Sequence, residues 1–164
     1  MRIDSIDQLR AHVGDNVAVS DWMPVTQAMI DSFADVTKDR QWIHVDAARA
    51  REQMPQRRTI AHGFLVVSLL APLFEQTIEI GGTSSAINYG FNRLRFTAPV
   101  MSESRIRGRF DLKAYDEVPG GAQLTWAVAV EIEGEDKPAV VAEWLMRLNN
   151  GTVLVPQSLG RLIR

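Results

Sequence analysis

The 164-residue chain contains no cysteine. Disulfides, thiolate nucleophiles and cysteine-based zinc sites are therefore excluded, and a reducing compartment is favoured. The sequence also lacks a run of about 20 apolar residues that would span a membrane. Its first residues do not resemble a signal peptide. We therefore expect a cytoplasmic protein without membrane attachment.

An excess of charge of one sign is missing as well. The formal net charge is −2, whereas surfaces that bind nucleic acid usually carry a strong basic excess. We expect no nucleic-acid partner. The hydrophobic and charged fractions, 46% and 23%, are typical of a globular protein. Because no repeat or linker divides the chain, residues 1–164 are predicted to form a single domain.

The first part of the chain is predicted to be largely helical. A first strand over Asn16–Trp22 precedes Thr26, which is a good N-cap for a helix with Ile30, Phe33 and Ala34 on one face. Residues 38–44 break that periodicity and are predicted to form a loop. Asp46 is predicted to cap a short helix that ends before Pro55.

Residues 64–74 are apolar apart from Ser68. Their length favours a helix over a strand, and a helix without a polar face is expected to be buried on every side. Pro72 is expected to kink or end this helix near Ala71.

The last third of the chain has the two-residue periodicity of β-strands. Apolar and polar residues alternate in three segments, with inward positions predicted at Ile106, Gly108, Phe110 and Leu112, then Leu124, Trp126, Val128, Val130 and Ile132, then Val140, Ala142, Trp144, Met146 and Leu148. Residues 85–96 form a poorer strand, in which Gly90 marks a bulge or a close approach. Helices followed by antiparallel strands predict an α+β fold.

Asp39 and His44 lie five residues apart in the predicted loop between two helices. A carboxylate and an imidazole that converge on one water suit proton transfer near neutral pH. On spacing alone, a turn cap and a structural histidine are the commoner explanation.

Two other segments are candidates for binding. Gly63, at the start of the apolar helix, allows a substrate to approach the main chain, whose N–H groups attract developing negative charge. Tight packing explains that glycine equally well. Asn92, Arg93 and Arg95 suit a phosphorylated ligand, although arginines on a strand more often form a solvated face.

Together these segments resemble the MaoC-like hydratases of the hot-dog superfamily, which include (R)-specific enoyl-CoA hydratases and a nodulation-protein-N-like branch. The resemblance covers residues 13–148, and the segment 149–164 matches no part of it. It rests on Asp39-x4-His44, on Ala61-His62-Gly63 before the apolar helix, and on the run from Asn92 to Val100. The resemblance implies a long antiparallel sheet wrapped around a buried central helix.

The same resemblance implies an enoyl-CoA hydratase, a hydro-lyase that adds water to trans-2-enoyl thioesters. Asp39 takes a proton as the water attacks, while His44 orients the water and helps to deliver a proton to the α-carbon. The Gly63 N–H polarises the thioester carbonyl and Ser68 faces the active site. Further substrate contacts are expected from Gln41, His62, Asn92, Arg93 and Arg95.

The mechanism that the resemblance implies needs no metal and no redox cofactor. Coenzyme A or an acyl-carrier protein is expected to enter with the substrate. Family members dimerise edge to edge, so a homodimer with acyl tunnels near its interface is predicted. The arginines at 93 and 95 are predicted to meet the phosphates of the substrate.

The sequence departs from the family in the loop, where Lys38 replaces a glycine and Gln41-Trp42 replaces Asn-Pro. Lys38 is expected to alter the loop backbone, since lysine does not easily adopt positive φ. Two alternatives stay open: an acyl-CoA thioesterase of the same fold, and an inactive acyl-thioester-binding protein.

Overall fold

The computed structural model describes residues 1–151, so nearly all of the predicted extension 149–164 lies outside the described residues. A 3₁₀ helix covers Ile6–His12. The α-helices are α1 (Gln27–Thr37), α2 (Trp42–Val45), α3 (Ala47–Gln53), α4 (Gly63–Ser68) and α5 (Leu70–Glu75). The strands are β1 (Arg2–Ile3), β2 (Asn16–Val19), β3 (Met23–Val25), β4 (Glu79–Ile80), β5 (Ser85–Phe96), β6 (Ser104–Val118), β7 (Gly121–Ile132) and β8 (Val140–Asn149).

The main sheet has the strand order β2-β6-β7-β8-β5, with β3 also paired to β6. All of its pairings are antiparallel. Strands β1 and β4 form a separate small parallel pair. Two register shifts interrupt the β5–β8 pairing, between Asn88 and Gly90 and between Phe91 and Arg93, so the predicted irregularity at Gly90 is confirmed.

One face of the sheet packs against α4 and α5. In β7 the buried positions alternate without a break from Ala122 to Ile132. Phe74 of α5 lies at the centre of the core, with its ring 5.1 Å from Phe110, 5.0 Å from Trp126 and 5.7 Å from Trp144, centroid to centroid. These contacts confirm the predicted α+β hot-dog arrangement of an antiparallel sheet around a central helix.

The central helix differs from the expectation in two ways. It is broken at Leu69 into α4 and α5, upstream of the predicted kink at Ala71. The reason is that Pro72 lacks an N–H and its ring crowds the carbonyl four residues earlier, that of Ser68. The helix is also not buried on every side, because Phe64 is 67% exposed and Ser68 is exposed.

The N-terminal elements are also partly corrected. The predicted first strand ends at Val19, and a second short strand follows. The predicted loop 38–44 ends in the single-turn helix α2. Both predicted caps are confirmed, since Thr26 accepts the N–H of Met29 and Asp46 accepts the N–H of Arg49. Across residues 1–151, no helix is long and apolar enough to cross a membrane.

Candidate functional site

His44 lies in α2 and is 7% exposed. Its Nδ1 is 2.6 Å from the carbonyl oxygen of Ile60. Since a carbonyl only accepts hydrogen bonds, Nδ1 carries the proton in this contact. The other ring nitrogen, Nε2, then presents a lone pair when the imidazole is neutral. His44 is therefore prepared to accept a proton or a hydrogen bond through Nε2.

The main chain of His44 is held by a side chain that sequence reasoning missed. Gln27, the first residue of α1, donates from Nε2 to the His44 carbonyl oxygen at 2.8 Å. The Gln27 Oε1 accepts from the hydroxyl of Thr59, and the Gln27 main-chain N–H donates to Glu103. No motif in the sequence indicated this role, because the four residues come from separate parts of the chain.

Burial lowers the pKa of His44 below its ordinary value. The positive charge that His62 can carry lowers it further, while the Ile60 carbonyl and the Asp39 carboxylate act in the opposite direction. The main effect is desolvation, which disfavours the charged imidazolium. The pKa shift thus favours the neutral form, in which Nε2 is an acceptor.

Asp39 lies in the turn between α1 and α2, and its side chain is exposed. The preceding residue, Lys38, has φ 65° and ψ 10°. Lysine therefore adopts the left-handed conformation that glycine adopts most easily, at a cost of about 1–2 kcal/mol. The expectation that Lys38 forces a different backbone was wrong: the loop keeps a glycine-like conformation.

The loop brings Asp39 next to two histidines. One ligand atom each from Asp39, His44 and His62 lie within 4.8 Å of one another. This separation suits a single water bound between the Asp39 carboxylate and a ring nitrogen. The same three groups are of a type that binds divalent transition metals. The prediction of metal-free chemistry therefore stays a prediction.

A cleft of about 430 Å³ opens beside His44. Its walls come from the segment that leads into α4 and from the end of β5, namely His44, Ile60, Ala61, Gly63, Phe64, Phe96, Thr97, Ala98, Pro99 and Val100. The lining is mainly apolar, with an imidazole at one side, which is typical of a small-molecule site.

Gly63 is the closest approach of α4 to β5 in this cleft. A Cβ atom at this position would lie 2.8–3.0 Å from the ring carbons of Phe96. Residue 63 must therefore be glycine for the Phe96 ring to pack here. As the first residue of α4, Gly63 also has a main-chain N–H without an acceptor inside the helix.

The profile of the MaoC-like domain family matches residues 8–131, more than half of the chain. The chain belongs to the MaoC-like domain family. It is 44% identical over 145 residues to 3-hydroxyacyl-thioester dehydratase Z of Mycobacterium tuberculosis, covering 88% of this chain and 95% of the relative. It is 42% identical over 144 residues to nodulation protein N of Rhizobium leguminosarum bv. viciae, covering 86% and 89%.

The fold agrees with solved structures of the same family. The (R)-hydratase from A. caviae involved in PHA biosynthesis superposes with a TM-score of 0.67 at 25% identity, covering 83% of this chain and 96% of that one. The hot-dog architecture inferred above is thus the one seen in an (R)-hydratase.

Three predicted substrate contacts of this MaoC-like chain, namely Ser68, Gln41 and His62, do not line the cleft. The Ser68 hydroxyl is exposed and donates to the Phe64 carbonyl at 2.7 Å. Gln41 caps α2, and its carbonyl accepts the N–H of His44 at 3.0 Å. Gln41 is therefore part of the loop between Asp39 and His44, whereas Ser68 lies one helical turn beyond Phe64.

Arg93 and Arg95 are placed on the other face of the sheet. They pair with the outward positions Glu143 and Val141 of β8. Both arginines line a groove of about 510 Å³ that also includes Arg109 and small side chains of β7. Asn92 is exposed and falls within the register shift of β5. The structure does not bring these three residues next to Asp39 and His44 of the same chain.

Proposed function

We propose that this MaoC-like protein is a 3-hydroxyacyl-thioester dehydratase, which also acts in reverse as an (R)-specific enoyl-CoA hydratase. The observation that carries the proposal is the convergence of Asp39 and His44 beside an apolar cleft. The name of the mycobacterial relative, 44% identical over 88% of this chain, supports the same reaction.

In the hydration direction, one water donates two hydrogen bonds, one to the Asp39 carboxylate and one to Nε2 of His44. Its oxygen lone pair then faces the β-carbon of the enoyl thioester. As the new C–O bond forms, one proton passes to the Asp39–His44 pair, and the π electrons move toward the thioester carbonyl. The pair returns one proton to the α-carbon, so the enzyme gains none over a turnover.

The Gly63 N–H is proposed to stabilise the developing enolate oxygen. It lies at the cleft that His44 also lines. A fixed main-chain donor aimed at developing charge contributes typically 10²–10³-fold to the rate, roughly. Gln41 and Ser68 are proposed to position the substrate, Gln41 through its place at the start of α2 and Ser68 through its exposed position on α4.

A homodimer is proposed because the sheet ends in a strand, β5, that has no partner on its outer side within residues 1–151. Strand β5 lies at the end of the sheet, which leaves its outer hydrogen-bonding groups available to another strand. Phe64, Phe91 and Phe96 are exposed at this edge by 67%, 36% and 49%. Pairing of β5 with its copy would cover this apolar surface.

In such a dimer, Asn92, Arg93 and Arg95 lie at or near the interface strand. We propose that the two arginines contact phosphates of coenzyme A or of a carrier-bound pantetheine. Because they line a groove other than the cleft of their own chain, they would serve a substrate bound at the partner's cleft. A cytoplasmic location, expected from the cysteine-free sequence, stays a prediction.

Light scattering tests the dimer. Phe64→Glu is expected to halve the measured mass, because a carboxylate would be buried in the interface. Val36→Glu is the control, since Val36 is 82% exposed on α1, and it should leave the mass unchanged. A wild-type mass equal to one chain at all concentrations would refute the dimer.

Turnover is tested by following the enoyl-thioester absorbance of crotonyl-CoA and of a longer-chain analogue. Loss of absorbance with formation of 3-hydroxyacyl-CoA and no free thiol supports the hydratase. Release of free thiol would instead identify a thioesterase. Binding of either thioester without any reaction would identify an inactive binding protein.

A further inference from the structure

His62 is buried between two aromatic rings at the start of α4. It is 4% exposed, its ring is stacked on His44 with centroids 3.8 Å apart and planes at 26°, and Phe33 of α1 lies 5.1 Å away. The cleft is lined by the residues on either side of His62 and not by His62 itself. Its ring therefore contacts the loop of Asp39 from the protein interior and not from the cleft.

The hydrogen bond that His62 makes is directed to the main chain of the catalytic aspartate. Its Nε2 lies 2.9 Å from the carbonyl oxygen of Asp39. Since the carbonyl is an acceptor, Nε2 must supply the proton. The other nitrogen, Nδ1, is buried and has no hydrogen-bond partner among the residues that the structure describes.

The short contacts of the loop around Asp39, apart from His62, are those of Arg40, which donates from its N–H to the Lys38 carbonyl at 3.1 Å and pairs with Asp35 on the surface at 2.7 Å. The Asp39 N–H is 3.4 Å from the Thr37 hydroxyl, and the Gln41 N–H is 3.5 Å from the Asp39 carboxylate. Both distances are long for hydrogen bonds. Lys38 adds a left-handed backbone at the entrance to the loop, so this conformation needs support from outside. His62 supplies that support from the protein interior.

We propose that His62 is a positioning residue for the hydration reaction, fixing the Asp39 backbone through its Nε2–H and the His44 ring by stacking. One buried imidazole thereby sets the separation of the two groups that hold the water. This inference rests on the proposed function for its effect on turnover, but its effect on the loop is independent of it.

Two substitutions separate the hydrogen bond from the stacking. His62→Phe keeps a ring against His44 and removes the donor. His62→Gln loses the ring but keeps an amide N–H near the position of Nε2. His12→Gln is the control, because His12 lies in the 3₁₀ helix beside Asp15, away from the site.

Steady-state kinetics with crotonyl-CoA is the first measurement. We expect His62→Phe to lower kcat at least tenfold with KM within about threefold, because a misplaced catalytic group costs up to about 10²-fold in rate. His62→Gln should recover most of that loss. A His62→Phe enzyme within threefold of the wild-type kcat would overturn the inference.

Amide hydrogen exchange over residues 38–41 is the second measurement and does not require turnover. Faster exchange there in His62→Phe, but not in His12→Gln, is the expected result. Unchanged exchange would overturn the inference even in an active enzyme. An inactive wild type that shows the expected exchange would count against the proposed function alone. If His62→Phe does not fold, His62→Asn replaces it, since its shorter amide reaches the Nδ1 position and not Nε2.

Discussion

Strands β6 to β8 and the segment from Lys38 to Gly63 are stabilised differently. The strands share long, regular pairings and a core in which each side chain has many apolar neighbours. The segment is held by single polar contacts, such as those of His44 with Ile60 and of His62 with Asp39. We therefore expect substitutions in the sheet to reduce stability, and substitutions of Asp39, His44 and His62 in the segment to reduce activity with little loss of stability.

The largest effect is expected at Asp39. Asp39→Asn removes the carboxylate that we propose accepts the water proton, and should lower kcat by about 10²–10⁴-fold. Because the side chain is exposed, the melting temperature should change little. Hydration of crotonyl-CoA and thermal unfolding monitored by circular dichroism are the measurements.

The matched control is Asp46→Asn, the same chemical change seven residues away. Asp46 caps α3 through its carboxylate, and asparagine is an equally good cap. This variant should keep nearly all activity. Near-normal turnover in Asp39→Asn would show that Asp39 is not part of the mechanism. It would also contradict the expectation that this segment determines activity.

The opposite behaviour is expected for Trp126, which is fully buried in β7 beside Phe74. Trp126→Ala should lower the free energy of unfolding by about 3–5 kcal/mol, because it removes a large ring and leaves a cavity. The measurement is unfolding in urea. Thr125→Ala, the adjacent residue on the other face of the sheet, should cost less than about 1 kcal/mol. Equal losses in the two variants would contradict the assigned faces.

The same contrast explains which parts of the protein could be predicted from its sequence. Strands β6 to β8 follow from alternation, since a period of two places every second side chain in the core. The predicted position of the helix break, near Ala71, was wrong, and the break lies at Leu69. The effect of Pro72 falls on the carbonyl four residues earlier. The exposure of Phe64 and Ser68 was missed because periodicity does not show which neighbour covers a helix.

At the candidate site, the proximity of Asp39 and His44 could be predicted, but the contacts that hold them could not. Asp39 and His44 were recognisable from their spacing together with the Ala-His-Gly segment. Gln27 was not, because its bond to the His44 carbonyl joins α1 to α2 through a side chain without any motif. The positive φ of Lys38 could also not be predicted from residue propensities, since the left-handed conformation is disfavoured for lysine.

A moderate effect is expected from pH. Since burial lowers the pKa of His44, its Nε2 should remain an acceptor at pH values below 6.5, the ordinary value for histidine. The acid limb of kcat/KM should therefore lie below pH 6.5, set by protonation of His44. A pH–rate profile measures this limb, and a midpoint at or above pH 6.5 would contradict the prediction.

The pH dependence of stability has a definite sign. The unfolded chain protonates His44 at its ordinary pKa, whereas the folded protein resists protonation. The unfolded state therefore binds more protons as the pH falls through 6.5, and the contribution of His44 to stability decreases until its folded pKa is reached. Urea unfolding at several pH values is the measurement, and His44→Gln should reduce this dependence.

The smallest effect is expected at Lys38. This loop residue has a left-handed backbone conformation, unlike the extended residues of the strands. Lys38→Gly relieves the left-handed strain of about 1–2 kcal/mol, but glycine also loses more conformational entropy on folding, by roughly 0.5–1 kcal/mol. The net gain in stability should lie between about 0 and 1.5 kcal/mol, with turnover unchanged or slightly higher. Arg57, with φ 56°, is the matched position outside the catalytic loop. Arg57→Gly should give a similar gain without any effect on turnover. A marked change of kcat in Lys38→Gly alone would show that Lys38, through its charge or its backbone conformation, acts on the neighbouring Asp39.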